Sequence, residues 1–197
     1  TDFTNLHNFF GGGEGNNPHA GLILSASTLY GTTRLGGSLG YGTVFAVNTN
    51  GTGFTTLHSF SPTSGSSPST NSGGANPYGG LILSGNTLYG TAAYGGSSGN
   101  GTVFAVNTDG TGFTTLHSFT GSDGSGPVTV ILSGNTLYGT TEEGGSAGSG
   151  AVFVVNTDGT QFKNLHSFTA IVTNGTMGTN GDGAAPQAGL VLSGNTL

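Results

Sequence analysis

The chain has 197 residues, of which only 5 % are charged, against roughly 25 % in ordinary globular proteins. Its net charge of −6 comes from eight acids opposed only by Arg34 and Lys163, which excludes the basic stripe of a nucleic-acid-binding protein and the polybasic segment that binds anionic lipid. Cysteine is absent, which excludes disulfides and thiolate metal sites, and no apolar run approaches the ~20 residues of a membrane span.

The distribution of apolar residues predicts a folded β protein. Apolar residues make up 32 % of the chain and occur in short runs such as LILS and TVFAV, bounded by glycine, serine, threonine and asparagine. Disordered chains combine few apolar residues with high charge, and this composition is different. The apolar residues show no helical spacing, so we predict short strands joined by many turns.

An internal repeat runs through the chain from its first residues. The pattern F-x-x-L-H-x-F is found at 3–9, 54–60, 113–119 and 162–168. The pattern L-x-L-S is found at 22–25, 81–84, 190–193 and, as VILS, at 130–133. The period is therefore 49 to 60 residues. Repeats of this length are typical of propellers, solenoids and arrays.

One complete unit divides into four predicted strands. They are GLILS (80–84), TLYGT (87–91), TVFAVN (102–107) and FTTLHSF (113–119). The first two and the last two are joined by Gly-Asn and Asp-Gly turns, which favour tight hairpins because these residues tolerate positive φ. The third strand is apolar at consecutive positions, so we expect both of its faces to be buried.

These features predict an all-β fold, a β-propeller built of four-stranded antiparallel blades of about 50–60 residues. A parallel β-solenoid is the main alternative, but its coils are usually shorter and lack paired hairpins. We predict a single repeat domain over 1–197, with a partial blade at 1–10, blades at 21–60, 80–119 and 128–168, and a partial blade at 189–197.

The two partial blades bear on how a ring would close. The chain starts on a fourth strand and stops inside a second strand. To close a ring, the two ends would have to combine into one blade, and that blade would lack its third strand. We therefore expect an incomplete set of blades from a longer chain. The alternative is an open array that neighbouring subunits complete head to tail.

The combination LxLSGNTLYGTT…GGxxGxGxVFxVNTDGTxFxxLHSF resembles the GloVer tandem repeat of bacterial choice-of-anchor proteins. The resemblance covers essentially all 197 residues. It implies an exported or surface-attached bacterial repeat protein with a propeller-like fold. It implies no chemistry, because that family carries no established activity.

One histidine recurs at the same position of the fourth strand. In each copy it lies between two phenylalanines, where it should pack between blades and hydrogen-bond to a neighbouring hydroxyl or carbonyl. Fourth strands are the outermost strands of a propeller, so these side chains should lie too far apart to share a metal ion. We interpret four histidines as structural, and predict no metal and no cofactor: His7, His58, His117 and His166.

Candidate catalytic groups are sparse. Glu142 and Glu143 are adjacent, so in a strand their side chains should point apart. A glycosidase pair formed from Glu14, Asp123 or Asp182 would require folding to bring two of them together. His19 is the only histidine outside the repeat, and no G-x-S-x-G elbow accompanies it. We therefore assign no catalytic residue.

The differences between copies fall at one end of the predicted blades. The loops between second and third strands vary, as do the connections between units, and in an up-and-down blade both emerge at the same end. Binding residues are often carried by loops on a rigid scaffold, although drift in exposed loops would give the same pattern. The candidate ligand-binding residues are Arg34, Tyr41, Tyr78, Tyr94, Glu142 and Glu143.

We predict a non-enzymatic bacterial repeat protein, extracellular or at the cell surface, with a structural or adhesive role. Polysaccharide or further copies of the chain are the expected partners, without nucleic acid and without membrane insertion of this segment. Head-to-tail assembly would produce fibres. The alternative is a secreted glycan-active hydrolase or lyase on a propeller scaffold.

Overall fold

The computed structural model describes residues 3–174, 177–194 and 196–197. The first sheet follows a 3-10 helix (Gly12–Glu14) and contains β1 (Asn16–Pro18), β2 (Ile23–Ser25), β3 (Thr28–Leu35), β4 (Thr43–Asn48) and β5 (Thr55–Ser59). The second contains β6 (Ile82–Ser84), β7 (Thr87–Ala92), β8 (Thr102–Asn107) and β9 (Thr114–Ser118). The third contains β10 (Ser125–Ser133), β11 (Thr136–Glu143), β12 (Ala151–Asn156) and β13 (Lys163–Ser167). A separate hairpin, β14 (Val172–Asn174) with β15 (Met177–Thr179), follows them.

The three sheets are successive antiparallel blades, as the repeat predicts. In the second blade the strand order is β6-β7-β8-β9, and the observed strands lie within a residue or two of the predicted ones. The fold is therefore the predicted all-β, propeller-like array of four-stranded units.

The innermost strand of a blade extends further than the sequence predicts. β10 begins at Ser125, before the predicted start at 128, because Ser125 pairs with Glu143 beyond a bulge in the strand. In the first blade β1 makes the equivalent pairing, with Asn16 opposite Leu35. The connection that precedes a blade thus supplies part of its first strand.

Each interface between neighbouring blades holds the same four aromatic rings. Between the first and second blades, His58 stacks on Phe113 with ring centroids 3.6 Å apart, and Phe60 meets Phe104 edge to face at 5.2 Å. The equivalent histidine stacks are His7 on Phe54 at 3.9 Å and His117 on Phe162 at 3.5 Å. Two clusters of buried residues, one at each interface between complete blades, form the core.

A hydrogen bond from a threonine hydroxyl to a backbone carbonyl also recurs at both interfaces between complete blades. The Thr32 hydroxyl donates to the Gly79 carbonyl at 3.3 Å, and the Thr91 hydroxyl donates to the Val128 carbonyl at 3.0 Å. In both cases a second strand is tied to the backbone of the following blade, within its first strand at Val128 and shortly before that strand at Gly79. These hydroxyls are buried, so each bond satisfies groups that would otherwise be unpaired at the interface.

A β-bulge in the fourth strand changes which side chains share a face. Strict alternation predicts that Phe113 and His117 face the same way, and this prediction is wrong. Val103 pairs with His117 while Phe104 pairs with Thr115, so one extra residue is inserted between them. Phe113 consequently packs toward the preceding blade, whereas His117 packs toward the following one.

Candidate binding cleft

A cleft of about 380 Å³ opens at the end of the blades where the variable loops meet. Its volume falls within the range typical of small-ligand sites, roughly 300–1,000 Å³. All three blades contribute to it. The lining residues are Arg34, Tyr78, Ala93, Tyr94, Ser125, Gly126, Pro127, Val128, Glu142, Glu143 and Gln187.

Equivalent strand ends position the lining side chains. Arg34 lies near the end of β3, Tyr94 follows β7, and Glu142 and Glu143 end β11. The connections between units provide the remaining wall. This agrees with the expectation that these connections and the loops between second and third strands emerge at the same end of the blades. The cleft is therefore built from the parts of the repeat that differ between copies.

The rim on the first-blade side is fixed by contacts around Tyr78. The Arg34 guanidinium carbon lies 5.7 Å from the centre of the Tyr78 ring, within cation–π range. The Tyr78 hydroxyl lies 3.1 Å from Nε2 of His19, and the two rings are 4.2 Å apart. The Asn76 side-chain amide donates to the Arg34 carbonyl at 3.0 Å. These contacts hold the only arginine of the chain against an aromatic face.

The opposite wall carries the acids. The Gln187 side-chain amide donates to Oε1 of Glu142 at 2.8 Å, while Glu143 is exposed. Tyr94 stands between the walls with 54 % of its surface exposed. The cleft thus offers an aromatic face and hydrogen-bond acceptors to a polar ligand.

The structure brings together five of the six candidate ligand-binding residues, and Tyr41 is the exception. Tyr41 is half-buried against the core between the first two blades. Its backbone is held there by a β-bridge to Gly36 and by a hydrogen bond from the backbone N–H of Asn76 to the Tyr41 carbonyl. Sequence reasoning missed Gln187 and the Ser125–Val128 segment, although Gln187 and residues 125–127 lie in the connections that it marked as variable.

The repeated histidines form a second set of contacts, with acids as partners in place of the predicted hydroxyl or carbonyl. Nε2 of His117 lies 3.0 Å from Asp123 and Nε2 of His166 lies 2.7 Å from Asp182. Nε2 of His7 lies 3.4 Å from a Glu14 carboxylate oxygen, but it makes no hydrogen bond within the described residues. Each acid belongs to the connection that follows its histidine, so Glu14, Asp123 and Asp182 lie at separate places rather than as a catalytic pair.

Among the residues that the structure describes, His58 has no acidic partner. Thr43 donates to the Glu14 carbonyl and Thr102 donates to the Gly73 carbonyl, which shows that Gly73 occupies the position of the acid. Burial without a neighbouring carboxylate lowers the pKa of His58 to about 4. Burial also lowers the pKa of His117, but there Asp123 opposes the effect.

Gly73→Asp is expected to raise the pKa of His58 from about 4 toward its ordinary value, because it places a carboxylate where the other copies have one. The substitution is sterically feasible, since a Cβ at Gly73 would lie 3.3 Å from the Phe113 ring edge and the backbone there is not left-handed. Titration of the His58 ring by NMR measures the change, with Gly73→Asn as the uncharged control.

The same pair of variants should differ in acid stability. In the unfolded chain the His58 imidazole has the ordinary histidine pKa of 6.5, so the native protein loses stability as pH falls from 6.5 toward 4. Because the ring is half-exposed, we expect a loss of only about 1–2 kcal/mol, which Gly73→Asp reduces and Gly73→Asn leaves in place. Identical titration of His58 in both variants would contradict this assignment.

Other kinds of site are not found in the described part of the chain. Residues 3–174, 177–194 and 196–197 contain no group of three or more histidines and acids that could hold a metal ion. Over the same residues, no helix has the length and apolar character needed to cross a membrane.

Two solved structures resemble this chain at low sequence identity. The chain is 15 % identical to a chain of a nidogen/laminin complex, with a TM-score of 0.53 over 78 % of this chain and 50 % of that one. It also matches the computationally designed Ika8 protein at 15 % identity, with a TM-score of 0.47 over 85 % of this chain and 43 % of that one. The chain thus spans about half the length of these structures. The first likeness supports a propeller-like fold and nothing about function.

Sequence comparison gives the family. No curated protein matches the chain in sequence. Residues 69–197, more than half of the chain, match the Gloeobacter/Verrucomicrobia repeat, in agreement with the resemblance seen in the repeated motifs. The chain belongs to the Gloeobacter/Verrucomicrobia repeat family.

Proposed function

We propose that the protein is a non-enzymatic bacterial repeat protein, located outside the cell or on its surface, that binds polysaccharide in a structural or adhesive role. One observation carries this proposal. The variable loops of three blades and the connections between them meet at one end of the blades and line a cleft there, while the packing between blades repeats almost unchanged. A diversified surface on a constant scaffold is the arrangement of a binding protein.

The chemistry of the cleft favours a ligand rich in hydroxyl groups. The exposed ring of Tyr94 offers a flat apolar face, and the carboxylates of Glu142 and Glu143 accept hydrogen bonds. The Gln187 amide adds a donor beside them. Sugar rings present both C–H faces and hydroxyls, so they match these groups better than an acidic or purely apolar ligand does.

The composition supports a location outside the cell. The surface is made largely of hydroxyls and amides, with two basic residues in the whole sequence and no cysteine. Binding between copies of this chain is the other predicted interaction, and it remains a prediction. It would use the face of the third blade that points away from the second blade. On that face Leu165 is 45 % exposed, and the His166 ring has no stacked aromatic partner among the described residues.

Tyr94→Ala is expected to weaken polysaccharide binding by about tenfold or more, because truncating an aromatic anchor at the centre of a site removes much of its contact area. The measurement is retention on immobilised neutral, amine-bearing and acidic polysaccharides, with binding expected to the first two. The control is Asp109→Asn with Asp158→Asn, which changes turns at the opposite end of the blades. Asn50 already occupies the equivalent position in the first blade.

The same experiment separates binding from turnover. Assays for new reducing or unsaturated ends on the bound polymer should remain negative. Release of such ends that is lost in Glu142→Gln or Glu143→Gln would instead establish a glycan-active enzyme. Absence of retention on every polysaccharide would overturn the proposal.

A further inference from the structure

A second cleft, of about 370 Å³, adjoins the first. Its walls come from the long connection between the first and second blades and from the second blade's own loop. Thr63, Ser69, Asn76 and Asn100 supply its hydroxyls and amides. Unlike the first cleft, it has no charged side chain among the described residues that line it.

The two clefts share Tyr94 and Ser125 as lining residues. Tyr94 therefore stands between them as a ridge rather than at the end of a closed pocket. Since each cleft alone has the volume of a small-ligand site, the two together have room for an extended molecule. A polymer lying across the ridge would contact the ring and both walls at once.

The two halves differ in charge. Glu142 and Glu143 give the first cleft two carboxylates. The cation among its described lining residues, Arg34, lies over the Tyr78 ring on the rim. Among the described residues, no ion pair joins Arg34 to either acid. The first cleft therefore carries a net negative charge, while the second presents neutral hydrogen-bonding groups.

We infer that the two clefts form one groove for an amine-bearing polysaccharide. A cationic sugar unit occupies the acidic cleft, uncharged parts of the chain lie in the second cleft, and Tyr94 packs against the unit between them. This inference rests on the proposed polysaccharide binding and specifies its ligand. A protonated amine satisfies the carboxylates, and longer oligomers gain contacts that a monosaccharide cannot make.

The test compares glucosamine oligomers with their N-acetylated counterparts by calorimetry at slightly acidic pH, where the free amines are protonated. At equal length and low salt, the amine-bearing hexamer is expected to bind at least about tenfold more tightly, with the difference shrinking as salt rises. Glu142→Gln with Glu143→Gln should abolish the difference. Asp109→Asn with Asp158→Asn, which removes the same charge at the opposite end, should preserve it.

Length dependence tests the second cleft. The hexamer should bind more tightly than the dimer, and Thr63→Val with Ser69→Ala should weaken the hexamer while sparing the dimer. These two hydroxyls are hydrogen-bonded to each other at 2.9 Å, so replacing both leaves neither unpaired and the fold intact. Equal affinity of the two oligomer series, or of hexamer and dimer, overturns the groove but leaves polysaccharide binding standing. Failure of every oligomer and every immobilised polysaccharide overturns both.

Discussion

Phe104→Ala is expected to lower the free energy of unfolding by about 3–5 kcal/mol. The Phe104 side chain is fully buried at the interface between the first two blades, where it meets Phe60 at 5.2 Å and Phe113 at 5.7 Å. A Cβ at Gly90 would lie 2.6 Å from its ring, so backbone closes one side of the site. With rings and backbone around it, the space left by the side chain cannot collapse. Urea denaturation measures the loss.

Phe10→Ala is the matched control for this prediction. Phe10 is 87 % exposed, so its truncation removes the same atoms with little loss of buried contact. We expect a change within about 0.5 kcal/mol. A Phe104→Ala variant as stable as Phe10→Ala would show that the repeated ring cluster does not hold the blades together.

Gly101→Ala is expected to cost about 3 kcal/mol or more of stability and to disturb the cleft as well. Gly101 has φ of +94°, and an added Cβ would lie 2.5 Å from Cδ of Pro127 and 2.6 Å from the Ala92 carbonyl oxygen. Neither atom belongs to a flexible side chain. Because Pro127 lines the cleft, the methyl group should displace a wall of the candidate binding site.

Gly134→Ala separates backbone strain from steric overlap as causes of this loss in stability. Gly134 also has positive φ, +56°, but no atom of the described residues lies within 4 Å of an added Cβ. Ala26 occupies the same turn position in the first blade with φ of 50°, so alanine is tolerated there. We expect a cost of ~1 kcal/mol from backbone strain alone. Thermal unfolding and polysaccharide retention of both variants check the prediction, and equal losses would contradict it.

The strands could be predicted because their signals are local. Apolar runs such as TVFAVN and the Asp-Gly turns depend only on neighbouring residues, and β8 lies at 102–107 in the sequence prediction and in the structure alike. The bulge at Leu116 could not be foreseen in the same way. It depends on how the fourth strand pairs with the third, so the face of His117 is a property of the sheet rather than of its own sequence.

The candidate site was predictable in outline but not in composition. Repetition marked Arg34, Tyr94, Glu142 and Glu143 as matching positions, and the up-and-down path of each blade placed them at one end. The acids beside the histidines escaped detection because their spacing varies. Asp123 follows His117 closely, whereas Asp182 follows His166 only after a long connection. Tyr41 was misplaced because its ring turns into the core.

The near identity of successive copies has a genetic consequence. Segments 42–60 and 101–119 differ only by Asn50 in place of Asp109, so an out-of-register crossover within the DNA that encodes them would leave the amino-acid sequence at the junction unchanged apart from that residue. Such an exchange adds or deletes one complete blade, and the junction is rebuilt from the same rings because each repeat contacts only its neighbours. The cleft spans loops of three successive blades. An exchange that deletes a blade would remove Tyr94 with it, whereas one that duplicates the blade would give each copy of Tyr94 a new neighbour on one side.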